Sequence, residues 1–415
     1  MNHIRNLALS LSSLSVYRGI LDHPVPHALR RLLNAASGTR EELVEAWGSF
    51  FSALCEQCGA GCLRGCLAQE ILFDENAFSL ASARGAEIPE ALSHAAGRDL
   101  DVIFQAASVT PEQLLAGCAF ADDLLPLSLP RWETGDLPAA LQGGSEPLTD
   151  RVARFHRENG CGVYARCRAF IWRGGDLHAV LHPDPTSLSE LTGYELQRRA
   201  VINNTLAFLQ GLPANNCLLY GDRGTGKSST CKAILNEYYR RGLRMIEMPK
   251  ESLGDFPVLA DRIAGLPMKF IIFIDDLSFS RQDETYASLK AVLEGGLAAR
   301  PENTLIYATS NRRHLLRETF SDREGDEIHR GDTIQESLSL ADRFGLSVRF
   351  SLPGKDEYLE IVRLLAEHRG LEGHLRELEE GAERWAIGRG GRSPRCAKQY
   401  IRAAEASIRS GRVPE

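Results

Sequence analysis

The stretch LLYGDRGTGKSST, residues 218–230, runs from three apolar and aromatic positions into a loop with three glycines, then a lysine and two serines. It matches G-x-x-x-x-G-K-[ST], with Gly221 first and Gly226, Lys227 and Ser228 last. Glycines let a backbone fold tightly enough to aim its N–H groups at phosphate oxygens, and a following helix adds its positive end. In such a loop the lysine contacts the β- and γ-phosphates and the serine hydroxyl ligates Mg²⁺. The flanks supply the required context. NNCLLY reads as a strand, and SSTCKAILNEYYRRG as a helix stopped by Gly242. Gly221, Asp222, Arg223, Gly224, Thr225, Gly226, Lys227, Ser228 and Ser229 are therefore the expected ATP-phosphate segment. Only seven of the 48 Lys and Arg residues are lysines, and Lys227 is the first in the chain. A lysine at this position is not background.

About fifty residues on, KFIIFIDDLSF (Lys269–Phe279) is a second apolar strand that ends in paired carboxylates. Given the phosphate loop, Asp275 is the expected carboxylate for Mg²⁺. Alone, an Asp at a strand end would be a turn or cap residue. Asp276 stands where a general base would activate water, which demands hydrogen-bond reach. Aspartate is shorter than glutamate by one methylene, about 1.5 Å, and an error near 1 Å costs roughly 10²-fold in rate. The residue type points to a slow ATPase or a switch, without excluding catalysis.

From Leu188 onward, NNCLLYG, GLRMIEM, KFIIFID and NTLIYATS alternate with helical patterns, which predicts an α/β fold with a parallel sheet covered on both faces. Three regions follow: a mostly helical N-terminal domain over 1–186, a nucleotide-binding core over 187–352, and a helical segment over 353–415. Within the first, SGTREELVEAWGSFFSALCEQ has a Ser/Thr start, early glutamates and helical apolar spacing. VTPEQLLAGCAF offers Thr110 as N-cap and Pro111 at the first helical position. AFIWRGGDLHAVLHP reads as a hairpin around Gly174-Gly175, and HPDPTSLSEL as a linker.

Bulk properties narrow the classes. A net charge of −7 gives no global case for a nucleic-acid or anionic-membrane binder. No run approaches 18 consecutive apolar residues. The N-terminus is serine-interrupted and lacks a small-residue cleavage site, so the expectation is a cytoplasmic protein. Ten cysteines in 415 residues are too few for a disulfide scaffold, and reduced thiols are expected.

Three further positions can turn nucleotide binding into a signal. Asn311 follows the strand NTLIYATS and either positions water against the γ-phosphate or caps the next helix. Arg343, between a helix and a strand, is either an arginine finger worth about 10³–10⁵ in rate or a surface arginine paired with Asp342. Arg395, one turn into the last helix, either reaches back to phosphate from a lid or is solvated.

Taken together, GTGKSS, IDDLSF, YATSNRRHL, SLADRFGL and GRSPRCAKQY resemble the AAA+ ATPases, and within them a bacterial family of ATP-binding AAA+ proteins carried as a domain of unknown function. The resemblance spans about 188–410, and extends weakly through YRGI and DENAFS in the N-terminal half. It implies that Asn311 is the sensor 1 residue, Arg343 an arginine finger acting in the neighbouring subunit of a homo-oligomer, and Arg395 the sensor 2 arginine. GYELQR resembles the segment that cups adenine, which implies that Tyr194 lines the base pocket. DnaA-like and helicase-loader-like branches also write Asp-Asp here, which implies turnover, though slow.

Two features tempt a metal reading. CEQCGAGCLRGC places Cys55, Cys58, Cys62 and Cys66 on one helical stripe, either as a Zn²⁺ or Fe–S site or as small apolar packing residues. SDREGDEIHRGDTIQE is acidic around His329, either as a divalent-cation site or as a solvated loop. The expected function is slow ATP hydrolysis with Mg²⁺ at subunit interfaces, acting on an unknown client through residues 1–186. The alternatives are an ATP-gated switch with negligible hydrolysis, or a DNA-associated loader. The latter lacks support from charge or from a helix-turn-helix.

Overall fold

The computed structural model describes residues 2–59, 62–118, 124, 127–143, 145–278, 284–294, 301–311, 343–389 and 391–410. The chain divides into two compact units, Met1–Arg166 and Cys167–Glu415.

The first unit is helical. Its helices include Asn2–Ser12, Pro24–Ala35, Arg40–Cys58, Leu63–Leu72, Glu90–Ala106 and Leu148–Asn159. Thr39 and Glu42 form a reciprocal capping box at the start of Arg40–Cys58, satisfying two end N–H groups at once. Thr110 and Gln113 do the same for Pro111–Ala116, with Pro111 in the first turn. Trp47, Phe50 and Trp132 anchor the core, with Trp132 centred 5.0 Å from Trp47 and 4.9 Å from Phe50.

YRGI and DENAFS meet in this unit. Asn76 caps Ala77–Ala83 through the Phe78 and Ser79 N–H groups and donates to Asp74 at 2.6 Å. Burial and the nearby Asp74 carboxylate hold the Tyr17 hydroxyl well above its usual range.

The four clustered cysteines do not share one helix. The first helix ends at Cys58 because Gly59 adopts a left-handed φ of 69°, and Cys62 immediately precedes the next helix, which carries Cys66. Cys58 and Cys66 are joined by a disulfide in place of the reduced thiols expected, while Cys55 and Cys62 are free. Among the described residues, no group of three or more His, Cys, Asp or Glu could hold a metal.

The second unit is a seven-stranded sheet with helices. Its strands are β1 Ala169–Arg173, β2 Asp176–Ala179, β3 Cys217–Gly221, β4 Leu243–Glu247, β5 Lys269–Ile274, β6 Thr304–Ser310 and β7 Leu346–Phe350, in the order β2-β1-β4-β5-β6-β3-β7. Every pair is parallel except the β1–β2 hairpin. The central strands are buried almost throughout, β5 at every position after the half-buried Lys269 and β6 at every position, as expected when both faces are covered. The predicted hairpin exists. However, β1 pairs with β4 and extends this sheet, so the hairpin belongs to the second unit and the unit boundary falls twenty residues before the expected 186. Trp172 on β1 fastens it by donating to Asp255 at 2.9 Å.

Among the described residues beyond β7 are the α-helices Lys355–Glu367, Leu375–Gly388 and Pro394–Arg409, around their own core of Tyr358, Val362, Leu378, Ala382, Tyr400 and Ile401. Gly381 lies so close to the Tyr400 hydroxyl that a methyl group there would overlap it. Among the described residues, no helix is long and apolar enough to cross a membrane.

Candidate functional site

Three adjacent strands set the site. β5, β6 and β3 run parallel in register, with Ile274 opposite Ala308 and Tyr220 opposite Ser310. Their carboxyl ends therefore deliver the glycine loop, the paired aspartates and Asn311 to one place. This is the crevice where open α/β sheets bind ligands.

The glycine loop needs its glycines for different reasons. Gly221 (φ 128°) lies against the backbone of Phe350, and a Cβ there would collide with the Phe350 carbonyl oxygen. Gly224 (φ 76°) meets Ser393 and Arg395 of the C-terminal segment, and Gly226 (φ 94°) caps the helix Lys227–Tyr238. All three φ values lie where L-residues are disfavoured.

Lys227 is only 6% exposed, and its Nζ donates to the Gly221 carbonyl at 3.0 Å, the Asp222 carbonyl at 2.7 Å and Asn311 Oδ1 at 3.2 Å. Burial pushes its ammonium below the usual lysine range, opposed by Asp222, Asp276 and Asp275 and reinforced by Arg395. Ser228 Oγ donates to Asp275 Oδ1 at 2.6 Å, and Asn311 Nδ2 donates to Asp276 Oδ1 at 2.5 Å. Asn311 thus touches both the lysine and the second aspartate. Asp276 itself is left-handed, with φ 51°, a conformation that Asp tolerates better than most residues.

These groups line a cavity of about 770 Å³. Among the described residues, six cations, Arg198, Arg223, Lys227, Arg395, Lys398 and Arg402, and three carboxylates, Glu190, Asp275 and Asp276, line it. That balance suits a polyanion. The donor set of a serine hydroxyl beside a carboxylate is one of hard oxygens, which fits Mg²⁺. Arg395 is held over the loop by its own N–H, which donates to the Gly224 carbonyl at 3.1 Å. Tyr194 also lines the cavity. Its ring is centred 5.3 Å from Phe350, and its hydroxyl donates to the Ser351 carbonyl at 2.6 Å.

Three of the expected site residues lie elsewhere. Gly221 packs on β7, and Asp222 turns its carboxylate to the Leu352 N–H at 2.8 Å, so neither lines the cavity. Arg343 does not line it either. The acidic segment around His329 lies outside the described residues. Arg198, the last residue of GYELQR, lines the cavity, and so do Thr309, Lys398 and Arg402, to which the sequence assigns no role. Arg395, Lys398 and Arg402 stand at i, i+3 and i+7 of one helix, a spacing visible in the sequence. Thr309 left no such trace.

Fold and site together define an ATP-binding P-loop protein of the AAA+ class. The chain belongs to the family described as "Protein of unknown function (DUF815)", whose model matches residues 165–408, close to the extent of the second unit. It is 29% identical over 171 residues to ATPase family AAA domain-containing protein 2 of Homo sapiens, across 37% of this chain and 11% of that protein. It is 29% identical over 184 residues to the Proteasome-activating nucleotidase of Methanococcus maripaludis, across 41% of this chain and 42% of that protein. The chain thus spans less than half the length of these relatives. A solved structure, the Thermotoga maritima RuvB Holliday junction branch migration motor, matches at 17% identity and a TM-score of 0.37, over 55% of this chain and 68% of that one.

Proposed function

We propose that the protein is a slow ATPase that works with Mg²⁺ at the interface between copies of itself. The observation that carries this reading is the hydrogen-bonded set Lys227, Ser228, Asp275, Asp276 and Asn311 at the ends of β3, β5 and β6. In this reading Lys227 and the N–H groups of the loop bind the β- and γ-phosphates. Ser228 and Asp275 would hold Mg²⁺, which when bound neutralises charge on the phosphate oxygens. Asp276, aimed by Asn311, orients the attacking water and receives its proton. Arg395 reads the γ-phosphate from the C-terminal helices, and Arg343 acts in the neighbouring copy. The N-terminal unit is the proposed client-binding part.

Steady-state phosphate release tests this. The wild type should exceed Lys227→Ala, and Asp276→Asn should bind ATP normally while losing about 10²-fold in turnover. Phosphate release no greater than that of Lys227→Ala would replace hydrolysis with an ATP-gated switch, which the shorter Asp276 side chain would favour.

A further inference from the structure

Thr309, 2% exposed near the end of β6, makes bonds that no part of the reading above uses. Its Oγ1 donates to Asp275 Oδ1 at 2.5 Å and accepts the Asp276 N–H at 3.0 Å, and its carbonyl accepts the Leu277 N–H at 2.7 Å. One side chain thus grips both sides of the Asp275–Asp276 peptide, as only a group that both donates and accepts can.

With Ser228 Oγ also on Oδ1, two hydroxyls occupy one oxygen of Asp275. Among the described residues, both hydrogen bonds to the Asp275 carboxylate fall on Oδ1 and none on Oδ2. The same grip holds the left-handed turn that brings the Asp276 carboxylate to Asn311.

We propose that Thr309 is a positioning residue that orients Asp275 toward the divalent cation and holds the turn at Asp276. The inference rests on the ATP·Mg²⁺ reading of the site. Partners that orient metal ligands are worth about 10–100-fold in metal affinity or activity.

The test uses the full chain with a non-hydrolysable ATP analogue and Mn²⁺ as the probe, reading free Mn²⁺ by electron paramagnetic resonance. Thr309→Val keeps the shape of the side chain and removes the hydroxyl, whereas Thr309→Ser keeps the hydroxyl. Thr309→Val should weaken Mn²⁺ binding about 10–100-fold, with metal-free analogue affinity unchanged and Thr309→Ser close to wild type. Asp275→Asn serves as the reference. If it weakens Mn²⁺ binding and Thr309→Val does not, the role of Thr309 falls and the site reading stands. If Asp275→Asn also leaves Mn²⁺ binding unchanged, the site reading falls with it. Equal loss in Thr309→Ser and Thr309→Val would show that the hydroxyl is not what matters. Should Thr309→Val not fold, Thr309→Ala makes the same comparison.

Discussion

Single atoms decide much at this site. Gly221 has no room for a methyl group, because the Phe350 carbonyl oxygen occupies that space and φ is 128°. Both faults are backbone faults that no rotamer change relieves. Gly221→Ala should therefore lose native structure and not merely affinity, seen as a thermal transition lowered by several degrees even without nucleotide. An unchanged transition would mean that β7 can withdraw from the loop. Asp276 shows the opposite economy. Its left-handed turn has a small cost and is held by Thr309 and Asn311, so the short side chain is placed by its backbone and not by its own length. That is why residue type alone could not separate hydrolysis from a switch.

At the scale of elements, the last helix contributes a row of cations and not a single arginine. Arg395, Lys398 and Arg402 share the face that lines the cavity, so reversing charge at the two later positions should weaken ATP binding about 10-fold or more. Equilibrium binding of a fluorescent ATP analogue to Lys398→Glu/Arg402→Glu would measure this, with weaker salt dependence expected in the variant. In the first unit, the helix Leu148–Asn159 buries His156, whose Nδ1 lies 3.1 Å from the Gly160 carbonyl. Burial pushes this imidazole down to about 4. Unfolded, it binds a proton below about 6.5, whereas folded it does not until about 4. Stability therefore falls as pH drops through that window, by about 3 kcal/mol in all. Denaturation followed at Trp47 and Trp132, with Trp172 and Trp385 replaced by Phe, should show this slope, and His156→Gln should flatten it.

For the whole molecule, the position of Arg343 is the informative fact. Arg343 does not line the cavity of its own chain, as the proposed action on a neighbouring copy requires. Arg343→Ala should then lower turnover about 10³-fold or more while leaving ATP affinity intact. Mixing it with Lys227→Ala should restore part of the activity, since intact sites form only between the two variants. Mixtures no more active than the sum of their parts would exclude action between copies.

The sequence by itself determined the class of fold and most of the residues that meet at the strand ends. A glycine-lysine-serine loop between a strand and a helix, a buried strand followed by two aspartates, and a third strand followed by Asn311 are local patterns tied to local physics. The capped starts at Thr39 and Thr110 were legible for the same reason, because capping spans only three residues. What needed tertiary structure was every fact that depends on distant segments meeting. The hairpin's membership of the sheet rests on pairing between β1 and β4, more than sixty residues apart. The cysteine stripe dissolved because one left-handed glycine ended the helix. Thr309 is the sharpest case. A threonine on a buried strand has no motif, and only the register of β6 beside β5 places its hydroxyl against both aspartates.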